Sequence, residues 1–115
     1  MAKINNDRNL EFSVFATPVF KKQFDRLCKK YPSLPEDVNA LTERLLLMPV
    51  QGDSMGHGLY KVRMAIASKG QGKSGGARVI TCIKLVENKI VFVTMYDKSE
   101  RETMTIKELL KLLTS

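Results

Sequence analysis

Three strand-like segments lie close together in the middle of the chain, and their succession limits the possible folds more than any other feature. Residues 59–66 alternate apolar and basic side chains, which is the period of a strand with one buried face. Residues 77–86 and 89–98 are two further strand-like stretches, separated by Glu87 and Asn88, which suit a tight turn. Strands joined by short connections tend to pair with each other, so the sequence predicts an antiparallel sheet.

Two amphipathic helices are predicted before this run of strands. Thr17 followed by Pro18 is an N-cap with proline at the first helical position, and apolar residues then recur at helical spacing until Pro32. Ser33 and Glu36 have the spacing of a capping box, and a second apolar stripe follows until the next proline. Two such helices with a short connection form an antiparallel hairpin whose apolar faces can cover a sheet.

The two ends of the chain complete the predicted fold. Leu10, Phe12 and Val14 alternate with polar residues, which predicts a first strand. Thr105 and Glu108 repeat the capping-box spacing ahead of an apolar stripe, which predicts a short closing helix. All 115 residues then form a single α+β domain. We expect a mostly antiparallel four-stranded sheet, with an N-terminal helical hairpin on one face and a short C-terminal helix.

The composition is that of an ordinary globular protein, with 43% hydrophobic and 27% charged residues. Cys28 and Cys82 lie far apart, in a predicted helix and a predicted strand, which favours buried thiols in a reducing compartment over a disulfide or a metal knuckle. The N-terminus lacks the apolar core of a signal peptide, and no apolar run approaches the roughly 20 residues of a membrane span. We therefore expect a cytoplasmic protein that does not contact a membrane.

The chain carries a net charge of +7, from 19 basic and 12 acidic residues. Most of the excess lies in the middle of the chain, because residues 53–98 contain eight basic and three acidic side chains, a balance of +5. An excess of this sign indicates a polyanionic partner such as a nucleic acid.

Strand periodicity predicts where these cations lie, because side chains two residues apart share a face of a sheet. In the last strand, the residues predicted to face the helices are Val91, Val93 and Met95, and those predicted to face away are Phe92, Thr94, Tyr96 and Lys98. The side chains expected to meet on the face that the hairpin leaves open are Lys61, Arg63, Arg78, Tyr96 and Lys98. Adjacent cations repel each other, and a phosphodiester backbone would relieve that repulsion. Arginine matches phosphate oxygens, and an exposed tyrosine can stack on an RNA base.

A glycine-rich loop over residues 68–76 contains the sequence Gly-Lys-Ser, as a nucleotide-binding P-loop does. The comparison fails, because Ala67 stands where the motif requires its first glycine and because a strand follows in place of a helix. We expect instead a mobile hairpin loop that carries Lys69 and Lys73 to a phosphate backbone.

Metal-binding and nucleophilic motifs are not evident in the sequence. His57 is the only histidine, and it lies in a glycine-flanked loop, where solvent exposure is more common than catalysis. Beyond Glu100 and Glu102 there is no acidic cluster, and no serine or cysteine shows the sequence signature of a nucleophile paired with a histidine. We expect neither a metal site nor a cofactor.

The motifs in the basic part of the chain resemble those of the HigB-like branch of the RelE/ParE toxin superfamily. The similar stretches are residues 59–63 (LYKVR), 67–70 (ASKG), 72–80 (GKSGGARVI) and 95–100 (MYDKSE). The order of predicted elements is also similar over about residues 10–113, which implies a RelE-like fold.

The resemblance implies a toxin of a microbial toxin–antitoxin system, which enters the ribosomal A site, cuts messenger RNA and is neutralised by a cognate antitoxin with a helix-turn-helix. Such enzymes use the 2′-hydroxyl of the RNA as nucleophile and need no metal. The implied catalytic residues are Arg63 and Arg78 for charge stabilisation, with Tyr96 or Lys98 for proton transfer. The implied RNA-binding residues are Lys61, Lys69 and Lys73. Glu100 is either a base or the partner of a neighbouring cation.

Two alternatives belong to other functional classes. ParE-like members of the same superfamily act on DNA gyrase and do not cut RNA. A basic RNA-binding module without catalysis would carry similar charges. Fold does not distinguish these functions, because function depends on the site.

Overall fold

The fold is built around one six-stranded sheet in a computed structural model that describes residues 2–3 and 12–114. The strands are β1 (Ala2–Lys3), β2 (Ser13–Ala16), β3 (Asp53–Gly56), β4 (Leu59–Met64), β5 (Ala77–Lys84) and β6 (Lys89–Asp97). Their order is β1-β2-β6-β5-β4-β3, and all neighbours are antiparallel except β2 and β6. The four predicted strands are present as β2, β4, β5 and β6, and two short strands extend the edges. The prediction for Leu10 lies outside the described residues.

The helices are α1 (Pro18–Cys28), α2 (Leu34–Leu47), α3 (Gly72–Gly75) and α4 (Ile106–Lys111). Thr17 caps α1 as predicted, since its hydroxyl accepts a hydrogen bond from the Phe20 N–H. The capping box at Thr105 is also confirmed. The one predicted at Ser33 is wrong, because this hydroxyl donates to Asp37 instead. Within the described residues, no helix has the length and apolar character needed to cross a membrane.

The helical hairpin α1–α2 packs on one face of the sheet, as predicted. Its buried residues Phe20, Leu27, Leu41 and Leu45 meet a main core formed by inward-facing side chains of the strands. Those strand residues include Val14, Val62, Met64, Val79, Ile83, Ile90, Phe92 and Met95. We call this side of the sheet the hairpin side. Burying apolar surface on this scale is the main force that holds the layers together.

The opposite side of the sheet is partly covered by α4, whereas the sequence predicted an open face. Leu109 of α4 is fully buried in a second core with residues of β4, β5 and β6. The strand residues in this core are Leu59, Ile80, Cys82, Val91 and Val93. We call this the α4 side. Among the described residues, the part of this side beyond the second core is what remains available to a partner.

A β-bulge in β6 changes which residues face each side. Ile80 of β5 pairs with Thr94 and the next residue pairs with Phe92, so the pairing skips Val93. The predicted alternation of β6 is therefore wrong for its first half: Val91 and Val93 face the α4 side, and Phe92 faces the hairpin. After the bulge, Met95 faces the hairpin and Tyr96 packs on the α4 side, as predicted.

Two segments predicted as loops contain regular structure. The region between α2 and β4 includes β3, and the glycine-rich connection contains a 3₁₀ turn (Ala67–Lys69) followed by α3. At the end of this connection Gly76 is pressed against β4, since a Cβ there would lie 2.1 Å from the Met64 carbonyl oxygen. Gly76 has an ordinary φ of −81°, so a lack of space is what requires glycine there.

Candidate functional site

Arg63, Arg78 and Tyr96 lie side by side across three adjacent strands. Arg63 of β4 is the direct cross-strand partner of Arg78 in β5, and Arg78 is in turn the partner of Tyr96 in β6. Directly opposed residues have their Cβ atoms about 5 Å apart, so the two guanidinium stems rise from the same patch of the α4 side. We call these three residues the cationic row. The predicted convergence of the two arginines on one face is confirmed.

The row lies at the margin of the second core, where cover by α4 ends. Arg63 is exposed, and Arg78 and Tyr96 are half-buried. Tyr96 packs against the second core, which leaves its ring supported on one side. Two opposed cations repel each other, and an anion bound between them would relieve this repulsion. The row is therefore suited to binding an anion.

The guanidinium of Arg78 is held by the turn that precedes its own strand. Its NH1 donates to the carbonyl oxygens of Lys73 (3.3 Å) and Ala77 (3.2 Å), and its NH2 donates to that of Ser74 (3.2 Å). These contacts are long, and they fix the side chain without neutralising its charge, because carbonyls carry no net charge. Arg78 thus reaches the surface in one orientation.

Three further predicted residues lie near the row. Lys61 is on the same face as Arg63, in the neighbouring cross-strand row, opposite Ile80. Lys73 is exposed on α3, whose carbonyls hold Arg78. Lys98 is exposed just beyond the end of β6, and its N–H donates to the Gly76 carbonyl at 2.9 Å. Three lysines therefore lie near the cationic row, in β4, in α3 and just beyond the end of β6.

Lys69 lies elsewhere, on the hairpin side of the sheet. Its ammonium Nζ is 2.6 Å from Oδ1 of Asp97, and only 14% of its side chain is exposed. Asp97 is itself 1% exposed, and its other oxygen accepts a hydrogen bond from the Tyr31 hydroxyl. The expectation that Lys69 reaches out on a mobile loop does not agree with this ion pair.

The surroundings of Asp97 decide its ionisation. Burial by itself raises the pKa of this carboxyl. Hydrogen bonds from Lys69, Tyr31 and the Ser99 N–H outweigh burial and lower the pKa to about 2. The hydrogen bond to Asp97, followed by burial, raises the pKa of Tyr31. Asp97 is therefore a carboxylate at neutral pH and Tyr31 keeps its proton.

Glu100 forms an ion pair with Arg26 of α1. Of the two roles that the sequence left open for Glu100, this is the pairing with a neighbouring cation. Its two oxygens lie 3.0 Å from the two terminal nitrogens of Arg26. One of these oxygens also accepts the Asp97 N–H at 2.9 Å. The hydrogen bonds from Arg26 lower the pKa of Glu100, against the effect of burial. A carboxylate engaged in this way is a poor general base.

His57 does not join the site. It lies at the tip of the β3–β4 hairpin with a positive φ of 57°, exposed to solvent. Leu59, at the start of β4, is four residue steps of extended strand, roughly 13 Å, from Arg63. Among the described residues, no three His, Cys, Asp or Glu side chains lie close enough together to hold a metal ion.

A small cleft opens beside the end of β6, between α1 and the segment 100–104. Its volume is about 140 Å³, and its lining includes Tyr96, Arg101 and Glu102. One oxygen of Glu102 accepts the Met104 N–H, and the other is buried and has no hydrogen-bond partner in the part of the chain that the structure describes. The cleft brings polar atoms close to the tyrosine of the cationic row.

The sequence motifs did not predict a role for Tyr31, Asp97 or Arg26. A signal for Asp97 was available, because it shares strand parity with Val93 and Met95, which were predicted to face the helices. An acid on a helix-facing position requires a buried partner. The partner itself could not be identified from spacing, since Lys69 and Tyr31 lie 28 and 66 residues away along the chain.

Comparison with known families agrees with this arrangement of sheet, helices and basic residues. The family model described as the RelE toxin of the RelE/RelB toxin–antitoxin system matches residues 17–114. No curated protein matches the chain. The matched segment begins at the cap of α1 and includes every residue of the cationic row. Because the match spans most of the sequence, the chain belongs to the RelE family of toxins from toxin–antitoxin systems.

Proposed function

We propose that this toxin is a metal-independent endoribonuclease that cuts messenger RNA on the ribosome and thereby inhibits translation in the cytoplasm. The observation that carries the proposal is the cationic row, in which two arginines and a tyrosine occupy adjacent cross-strand positions on one face. RelE toxins generally act by cutting messenger RNA, which supports the same activity here. The basic motifs favour a place in the HigB-like branch of the superfamily.

The reaction requires no group from outside the RNA and the protein. The ribose 2′-oxygen attacks the adjacent phosphorus while a base takes its proton. The bond from phosphorus to the 5′-oxygen of the next nucleotide breaks, and that oxygen receives a proton from an acid. The products are a 2′,3′-cyclic phosphate and a 5′-hydroxyl. The protein contributes position, stabilisation of the charged transition state and proton transfer.

The residues near the row suit these tasks. Arg63 and Arg78 stabilise the charge on the phosphorane, and the turn that holds Arg78 removes part of the cost of ordering its side chain. Tyr96 or Lys98 transfers a proton. Lys61 and Lys73 bind the flanking phosphates. Lys69 is not in this set, because its ammonium is bound to Asp97.

Membership of a toxin–antitoxin family implies an antitoxin as partner. We propose that this antitoxin contains a helix-turn-helix and that the other partners are the ribosome and its message. The excess of eight basic over three acidic residues in positions 53–98 supports binding to RNA.

The nucleophile can be tested on ribosomes programmed with a short message. A single 2′-deoxy substitution on the 5′ side of the cut position removes the nucleophile and should abolish cleavage there. The same substitution one nucleotide away is the control and should leave cleavage unchanged. Cleaved message should carry a 2′,3′-cyclic phosphate and a 5′-hydroxyl. A 5′-phosphate end, or normal cleavage of the deoxy message, would contradict the mechanism.

The role of the row can be tested with Arg63→Ala, since Arg63 is exposed and its loss should leave the fold intact. Removing one such charge-stabilising group should lower the cleavage rate about 100-fold. Arg78→Ala should have a similar effect, with urea unfolding used to show that the variant is folded. Lys22→Ala removes an exposed charge from α1 and should cleave normally. Intact transcripts together with DNA breaks after induction would favour the gyrase-directed alternative.

A further inference from the structure

A buried cluster on the hairpin side of the sheet joins three separate parts of the chain. Its members are Tyr31, Lys69 and Asp97, and we call it the Asp97 cluster. Oδ2 of Asp97 accepts from the Tyr31 hydroxyl, and Oδ1 accepts from Lys69 Nζ at 2.6 Å and from the Ser99 N–H at 3.2 Å. Tyr31 follows α1, Lys69 ends the 3₁₀ turn and Asp97 ends β6.

One end of the cluster lies directly behind the candidate site. Successive strand residues face opposite sides of a sheet, so Asp97 points to the hairpin while Tyr96 points to the α4 side. Lys98 follows at once, and its N–H donates to the Gly76 carbonyl. Fixing the Asp97 side chain therefore fixes the backbone between the two candidates for proton transfer.

The other end of the cluster fixes the glycine-rich connection between β4 and β5, which supports Arg78. Lys69 stands at the start of this connection, and its N–H also donates to the Ile66 carbonyl at 2.9 Å. Three residues later α3 begins, and the carbonyls of Lys73 and Ser74 receive the Arg78 guanidinium. The ion pair between Lys69 and Asp97 thus joins the supports of Arg78 and Tyr96 on the side of the sheet away from them.

Stabilisation of the fold does not by itself explain why these positions hold charged residues. Burying a carboxylate and an ammonium removes both from water, and apolar residues of similar volume often hold two segments together equally well. A hydrogen-bonded ion pair differs from apolar packing in its direction, since it is strong only in one geometry. That difference matters where two reactive groups must keep a defined separation.

We infer that Asp97, Lys69 and Tyr31 are positioning residues, which hold Tyr96 and the Arg78-binding turn in the geometry needed for RNA cleavage. The inference rests on the proposed ribonuclease activity and adds to it a set of residues that do not touch RNA. It replaces the expected phosphate contact of Lys69 with a role on the opposite side of the sheet.

The test is cleavage of message in programmed ribosomes with toxin in excess, which gives a maximal rate and a half-saturating toxin concentration. Misplacement of about 1 Å can cost about 100-fold in rate, so Asp97→Asn and Lys69→Met should lower the maximal rate about 10- to 100-fold. The half-saturating concentration should change by less than about twofold, since binding contacts remain. Lys69→Arg, which keeps the charge, should recover much of the rate.

The matched controls are Asp25→Asn and Lys29→Met, which alter exposed charges near α1 and should keep the normal rate. Each variant is assayed at a temperature where urea unfolding shows it to be folded. If Asp97→Asn does not fold, Tyr31→Phe still tests the inference, because it removes one hydrogen bond and keeps the ion pair. It should lower the maximal rate about threefold or more.

Three outcomes would overturn the inference. Normal maximal rates in folded variants would mean that the cluster only stabilises the fold. A raised half-saturating concentration with a normal maximal rate in Lys69→Met would mean that Lys69 binds RNA, as the sequence predicted. A wild-type protein that leaves all messages intact would reject the proposed function, and the inference with it.

Discussion

Asp97 shows how a single buried charge is tolerated in a chain of this size. A carboxylate that is 1% exposed loses almost all contact with water, which costs several kcal/mol if no partner replaces it. Here a phenol, an ammonium and a backbone N–H replace that water. The low pKa of about 2 means that these partners favour the charged form more than water does.

The low pKa of Asp97 predicts how stability depends on pH. Its folded pKa, about 2, lies below the ordinary 3.8, so the charged form stabilises the folded state above pH 3.8. This contribution of about 2 kcal/mol is lost as the pH falls through the folded pKa. The difference in free energy of unfolding between wild type and Asp97→Asn should therefore shrink by about 2 kcal/mol from about pH 5 to about pH 2. Urea unfolding measures it, and a constant difference would contradict the assignment.

One hydroxyl contacts both the start of α1 and the bulge of β6. Thr17 is fully buried, and its Oγ1 accepts the Phe20 N–H at 3.1 Å, which caps the helix. The same hydroxyl donates to the carbonyl of Val93 at 2.6 Å, and Val93 is the residue that the pairing of β5 skips. Since the bulge turns Tyr96 towards the α4 side, Thr17 connects the first helix to the geometry of the site.

Thr17→Ala should consequently cost more than the loss of an ordinary cap. Removing the exposed cap of α4 in Thr105→Ala should lower the free energy of unfolding by about 1 kcal/mol. Thr17→Ala also leaves a buried carbonyl without its partner, so the expected loss is about 2 to 4 kcal/mol. Thr17→Ser keeps the hydroxyl and should lose less than Thr17→Ala. Equal losses in the two alanine variants, measured in urea, would show that the bond to Val93 contributes nothing.

Periodicity and capping motifs predicted the strands and helices whose formation depends on neighbouring residues in the sequence. Alternation correctly placed Arg63 and Arg78 on one face, because β4 and the first half of β5 pair without irregularity. It failed for Val91 and Val93, because the pairing with β5 skips Val93. The carbonyl of Val93 accepts from Thr17, 76 residues away, and alternation along one strand does not predict such a contact. Cover by α4 was missed for a similar reason, since periodicity predicts the apolar face of a helix and not the surface on which it packs.

The net charge of +7 has different effects in different parts of the molecule. On the hairpin side, acidic partners pair with three of the basic residues: Lys69 and, at 4.0 Å, Lys30 with Asp97, and Arg26 with Glu100. In the cationic row, the partners of the Arg78 guanidinium among the described residues are backbone carbonyls, which do not neutralise its charge. An unneutralised cluster attracts a polyanion over a distance of about one Debye length, roughly 8 Å in physiological salt. The positive charge available to bind RNA is therefore smaller than the net charge of the chain, and it lies at one end of the sheet.

This uneven neutralisation predicts which lysines govern the salt dependence of RNA binding. Each phosphate contact on a single strand contributes about 0.7 to the slope of log affinity against log salt concentration. Lys61→Ala and Lys73→Ala, measured on a 2′-deoxy RNA that cannot be cut, should each reduce the slope by about that amount. The double variant Lys69→Met with Asp97→Asn removes a lysine whose charge is already paired, so its slope should equal that of the wild type. A reduction as large as that of Lys73→Ala would mean that the buried ion pair opens when RNA binds and that Lys69 moves to a phosphate.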